Sequence, residues 1–302
     1  MSTRVEELFE QSSFAAPDHI VVATALTDLE YLVPAAIAQA QEAHAELIFV
    51  HAVVEGELPV TATYHNPLKA DRDARLTLEI AARHIRARGL GCTALVRHGA
   101  VRDVVDEVVQ ERAAGRLIIG NRSRPQKTAR ALGLTARQLL THQWIPVSCA
   151  RPGQMERHAG SDTPRRILYP VAGELEHGHL VHDLAKYLHA DLLVLHEGSE
   201  ERAAARILGH CAVNCPLGLK PGARWIATER IEAKSIAETA HSNEINLIVL
   251  DGPALFDPER MFRLLEELLH IYDGEVLVGQ SLLPRRDASS WPSLRILSST
   301  TI

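Results

Sequence analysis

The stretch with the clearest chemistry reads Gly120-Asn-Arg-Ser-Arg-Pro-Gln-Lys-Thr-Ala-Arg-Ala-Leu-Gly133-Leu-Thr135. Gly120 ends a short β-branched run, and a residue without a Cβ there lets backbone approach a ligand closely. Gly133 precedes the helical stretch Ala136 to Leu140, where free N–H groups and the helix dipole favour an anion. Arg122, Ser123, Arg124, Lys127 and Arg130 place charge and hydrogen-bond donors between the two glycines, and Thr135 adds a hydroxyl. Amides, guanidinium forks and a hydroxyl converging between a strand and a helix suit a phosphate group. The plainer alternative is a loop with a solvated basic face.

Other chemistry has less support. His177, His179 and His182 cluster in HGHLVH, but no carboxylate or cysteine stands at a recognised zinc spacing, so no metal is expected. Cys211 and Cys215 lie four apart without histidine partners, and free thiols are the better reading. No G-x-x-x-x-G-K-[ST] loop, G-x-S-x-G elbow or H-E-x-x-H pair is present, and catalysis is the minority expectation.

The elements that must hold the loop follow from periodicity. In the first half, strands are predicted at His19–Thr24, Glu46–Val53, Cys92–Arg97, Arg116–Ile119 and Pro146–Ala150. Helices are predicted at Pro34–Ala43, Leu68–Arg88, Val101–Arg112 and Thr135–His142, with Gly89 as a left-handed cap. The second half repeats the alternation from Ile167 to Gly279, including a helix around Glu201 to His210. AELIFVHA at 45–52 matches ADLLVLHE at 190–197 without a gap, an offset of 145. Strands alternating with helices imply parallel sheets and right-handed crossovers. The expectation is therefore α/β, two tandem doubly wound domains with helices on both faces. Their expected bounds are a lead of 1–18, a first domain of 19–151, a linker of 152–164, a second domain of 165–280 and a tail of 281–302. The last-strand segments IPVSCA and EVLVGQ are apolar edges that need cover, so the two domains should pack as a pseudo-dimer.

Charge is unevenly spread. Residues 1–155 hold 17 acidic and 17 basic side chains, so the net charge of −6 comes from the second half. Residues 112–155 contain no Asp or Glu but eight Arg and Lys. Those cations either pair with acids from elsewhere or form an anion site. A chain that is 46% hydrophobic and 23% charged, with pI near 6.2, is neither disordered nor a nucleic-acid binder by composition. Its apolar runs are too short to span a membrane, its start lacks signal-peptide layout, and a cytoplasmic location is expected.

The glycine-bearing stretch resembles the universal stress protein family, whose nucleotide-binding members carry G-x-x-G-x9-G-[ST] there. Gly120 and Gly133 align with it, and HIVVAT, the strand ending VHA and RHGAVRDVVDEVV are similar too. The resemblance implies five-stranded parallel sheets of order 3-2-1-4-5, dimerisation through the last strand, and ATP or another adenine nucleotide bound in the first domain without turnover. It makes His51 and His196, at equivalent strand ends, structural. The chain also departs from the pattern. Ala25 stands where nucleotide-binding members have an Asp, Ser123 replaces the middle glycine, and Leu134 takes the hydroxyl position. Asp251 replaces the first glycine in the second half, which should bind no nucleotide. The function expected is a non-catalytic stress-response or regulatory protein with a degenerate adenine-nucleotide site at Gly120, Arg122, Ser123, Arg124, Gly133 and Thr135. It would be homo-oligomeric, without nucleic-acid or membrane partners. The alternatives are a nucleotide-free dimerisation scaffold and, further off, an ATP-using enzyme.

Overall fold

Each half has five short apolar runs, and the inner ones carry side chains buried on both faces, the pattern of parallel strands sandwiched between helices. In the computed structural model the first half gives β1 (His19–Ala23), β2 (Glu46–Val53), β3 (Cys92–His98), β4 (Arg116–Gly120) and β5 (Val147–Ala150). Its helices are α1 (Leu29–Ala43), α2 (Pro67–Arg86), α3 (Val101–Glu111) and α4 (Leu134–His142). The second half gives β6 (Arg166–Val171), β7 (Asp191–Glu197), β8 (Arg224–Thr228), β9 (Leu247–Leu250) and β10 (Glu275–Val278), with α5 (Gly178–Tyr187), α6 (Ala233–Ser242) and α7 (Pro258–Ile271). The residues described are 17–54, 67–121, 132–143, 145–151, 165–172, 178–198, 224–250 and 258–279. The expected helix at Glu201–His210, Cys211, Cys215, His177, Asp251 and the linker 152–164 lie outside them.

One ten-stranded sheet runs β3-β2-β1-β4-β5-β10-β9-β6-β7-β8. Each half has the order 3-2-1-4-5, parallel throughout, and the two meet where β5 and β10 pair antiparallel. Val147, Ser148 and Cys149 pair with Val278, Leu277 and Val276, so each apolar last strand is covered by the other. One face of the sheet carries a single apolar core that crosses this seam, with Val105, Val108 and Leu139 joined to Ile236, Leu265 and Leu268. The opposite face carries two separate cores, around Phe49 and Leu78 in the first half and Tyr169 and Leu184 in the second.

Between those separate cores the seam is polar. Gln39 Nε2 donates to Ser148 Oγ at 2.7 Å, and Ser148 Oγ donates to Glu275 Oε1 at 3.1 Å. Arg116 Nη1 reaches Gln39 Oε1 at 3.4 Å. Arg165 grips Glu42 with two hydrogen bonds, of 2.7 and 2.8 Å, and reaches Glu275 Oε2 at 3.4 Å. Tyr187 OH donates to the carbonyl of Glu42, its counterpart exactly one repeat offset of 145 residues earlier, so the pseudo-twofold axis passes close by.

Most elements lie within a residue or two of their sequence-based bounds, and one helix begins well before its own. The helix predicted from Pro34 starts at Leu29, and Pro34 lies within it. As the sixth residue of the helix, Pro34 forfeits the bond its N–H would have made to the Glu30 carbonyl, and its ring crowds that carbonyl. The cap at Gly89 has φ of 82°, as expected, but α1 closes on His44 at φ 54° and His189 follows α5 at φ 49°.

Candidate functional site

β1 is flanked by β2 on one side and β4 on the other, so the chain reverses direction across the sheet at its carboxyl end. That reversal opens the crevice where such sheets take ligands. Thr24 and Ala25 leave β1 there, His51 stands near the end of β2, and Gly120 ends β4. The loop after β1 folds back on itself. Asp28 accepts hydrogen bonds from the Thr24 hydroxyl and from Ala25 N, the latter at 3.1 Å to Oδ1, while Leu26 N donates to Thr24 Oγ1 at 2.9 Å. Leu26 takes φ of 70° to make the bend. Burial pushes the Asp28 carboxyl above its ordinary value of 3.8, against the lowering effect of the Thr24 and Ala25 bonds and of nearby His51. His51 Nδ1 lies 2.9 Å from the Thr24 carbonyl, which can only accept, so the ring proton is on Nδ1 and Nε2 of the neutral ring is an acceptor. That bond ties β2 to the end of β1, in keeping with a structural histidine.

Gly120 is closely packed here. A Cβ on it would stand 2.8 Å from both Asp28 Oδ2 and Tyr31 OH. Two side chains of the protein thus come close to that glycine. The Asp28 carboxylate stands three residues after Ala25 and is almost fully buried. Asn121, beside Gly120, donates its N–H to the Ala150 carbonyl at 2.9 Å and keeps a buried Oδ1 without a hydrogen-bond partner among the described residues.

Gly133 is different. Its φ of −59° suits any residue, and among the described residues a Cβ there would meet nothing within 4 Å. Glycine is one of the residues favoured at such a helix start. Leu134 and Thr135, the first two residues of α4, are both exposed, and Gly133 offers no side-chain cap. Arg122, Ser123 and Arg124, with Lys127 and Arg130, lie outside the described residues, so of the six expected site residues Gly120, Gly133 and Thr135 are located.

The basic run resolves in part into ion pairs with the acidic second half. Arg137 of α4 donates to Glu266 of α7, from Nε at 3.1 Å and from Nη2 as well. Leu132 N donates to the same oxygen, Oε1, at 3.1 Å. The Arg137 guanidinium also lies over the Phe262 ring, 5.6 Å from its centre. Arg151 donates to the Leu269 carbonyl at 2.9 Å and to Asp273. Arg116 is buried, and that burial pushes its guanidinium below the ordinary value while Glu275 and Glu42 oppose the shift. The sequence marked these arginines as cations that need partners; Glu266, Asp273 and Glu275 lie more than a hundred residues away, and no local pattern points to them.

Among the described residues no group of three or more His, Cys, Asp and Glu could hold a metal ion, and no helix is long and apolar enough to cross a membrane. Residues 17–151 match the model of the universal stress protein family. No curated protein sequence matches the chain. Among solved structures, a universal stress protein from Archaeoglobus fulgidus superposes with a TM-score of 0.67 at 13% identity, covering 89% of this chain and 98% of that one. A Pseudomonas aeruginosa protein described as functionally unknown gives a TM-score of 0.55 at 15% identity, over 88% and 93% of the two chains. Both likenesses run through the two halves, at identities that speak for the fold alone. The first half of this chain is a domain of the universal stress protein family, and the second half is built on the same strand order.

Proposed function

We propose that the chain is a non-catalytic regulatory protein of the stress response whose first half binds an adenine nucleotide, such as ATP, at a degenerate site. The observation that carries this reading is Gly133. It caps the start of α4, and among the described residues nothing lies within 4 Å of a Cβ built on it, so the first N–H groups of the helix are open to an approaching phosphate. The buried acceptor of Asn121 offers a partner to a hydroxyl of a nucleoside at the other end of the loop. The basic residues Arg122, Arg124 and Lys127 supply the phosphate affinity that the lost glycine and hydroxyl do not, and discrimination among nucleotides is poor. Self-association into a homo-oligomer belongs to the same reading. Because β5 and β10 already cover each other, it uses an outer surface of the molecule.

Two tests bear on this reading. Freshly purified protein is denatured and its supernatant assayed for ATP, ADP and AMP. The protein is also titrated calorimetrically with ATP, AMP and pyrophosphate beside an Arg122→Ala, Arg124→Ala double variant. Charge-assisted bonds of about 1.5–3 kcal/mol each make the expected loss on the order of 10²-fold. Equal affinity in both proteins sets the basic loop aside as the site. Absence of binding in either favours the scaffold reading, which has its own support in the carboxylates of Asp28 and Glu266 standing beside the loop's two ends.

A further inference from the structure

Glu266 belongs to the second half, yet its Oε1 takes three donors from the first: Leu132 N, Arg137 Nε and Arg137 Nη2. Phe262, one turn earlier on α7, supports the guanidinium from below. An arginine fork and a backbone amide converging on one oxygen form an anion-binding arrangement, and the structure holds it with an anion already in place. The occupant is a side chain of the molecule itself, 14% exposed and carried on a helix surface. Gly133, next to Leu132, has no neighbour within 4 Å of a Cβ built on it among the described residues.

We propose that Leu132 N and Arg137 form an anion site shared by the two halves, held at rest by the Glu266 carboxylate and open to a phosphoryl group that displaces it. This rests on the reading that the loop from Gly120 to Gly133 takes a phosphorylated ligand, and extends it by naming what the ligand must displace. Three features favour a phosphoryl group over another carboxylate. It carries more charge than Glu266 at neutral pH, it offers several oxygens to a fork and an amide at once, and it arrives beside the basic loop, where residues 112–155 hold no acidic side chain. The exchange has a structural consequence. A displaced Glu266 no longer ties α7 to α4, so occupancy of the first half changes a contact made by the second.

The test is calorimetric titration of the full chain with inorganic pyrophosphate, comparing the native protein with Glu266→Gln, Asp273→Asn and the double variant Glu266→Gln, Arg137→Ala. Glu266→Gln keeps the side chain's shape and removes the competing charge, and its affinity should rise about tenfold or more. Asp273→Asn weakens another ion pair between the halves, with Arg151, without touching Leu132 or Arg137, and should bind as the native protein does. Adding Arg137→Ala should abolish the gain. Equal affinity in native and Glu266→Gln proteins overturns the shared site while leaving nucleotide binding in place. An equal gain in Asp273→Asn also overturns it, since loosening of the seam is then enough. Binding by none of the four overturns both this proposal and the nucleotide reading. Should Glu266→Gln not fold, Glu266→Asp, which shortens the reach by one methylene, takes its place with the same expected direction.

Discussion

Asp28 shows how a single side chain reshapes a crevice. It is almost fully buried, and burial raises its pKa while the hydrogen bonds from Thr24 and Ala25 N hold it down. A carboxyl whose folded value lies above its unfolded one binds its proton more tightly in the native state. Its contribution to stability therefore grows as pH falls through the folded value toward 3.8, and is least favourable at neutral pH. Asp28→Asn retains an oxygen acceptor for Thr24 and Ala25 N and removes the buried charge. The variant should be more stable than the native protein at pH 7, with the advantage shrinking on acidification, as read by urea unfolding at pH 7, 5 and 4. A variant less stable at pH 7 and equal at pH 4 would mean that the bonds to the charged form outweigh its burial. The sequence displays Asp28 three places after Ala25 but does not signal its return to the crevice. That return depends on Leu26 adopting a positive φ, which β-rich flanks and a leucine do not announce. Glu266 was hidden for another reason: it meets Leu132 across 134 residues, and only the strand order brings them together.

The seam between β5 and β10 is apolar on one face and ionic on the other. Strand positions were readable from their apolar runs, and the 145-residue offset made the second half readable from the first. Helix ends were less so. His44 and His189 occupy left-handed positions usually announced by glycine, and Pro34 concealed the first turn of α1. Nothing local marks Ser148 or Glu275 as members of a buried network, because each is the one polar residue in a short apolar strand. Glu275 nonetheless compensates Arg116, whose guanidinium burial pushes down, and it also bonds Ser148 and Arg165. Glu275→Leu leaves Arg116 buried with its strongest countercharge gone. Breaking a buried pair from one side costs about 3–5 kcal/mol, and a loss of that size in urea unfolding is expected. A loss under about 1 kcal/mol, the range of exposed pairs, would show that water reaches the network.

On the scale of the whole molecule, the continuous sheet makes each half a wall of the other, and the thiols report on it. Cys149 is fully buried against the seam, with its pKa pushed up by burial to about 12, and Cys92, on β3 at the far edge, to about 11. Alkylation needs both access and thiolate, so both thiols should resist iodoacetamide in the native protein. In Glu275→Leu, Cys149 should react at least about tenfold faster while Cys92 stays protected, as followed by mass spectrometry of the digested protein. A parallel rise at both sites would mean that the sheet opens as one unit. The contact of Tyr187 with Glu42, one repeat offset apart, carries a historical consequence. In a symmetric dimer each residue on the axis meets its own copy, so every substitution there is made twice and must suit itself. Joining the two subunits in one chain lifts that condition. Position 42 holds a glutamate where its counterpart is a tyrosine, and Arg165 neutralises that glutamate from the other half. Once such unlike pairs accumulate, neither half fits a second copy of itself at this surface, and the fusion works as a ratchet that closes the road back to a dimer of single domains.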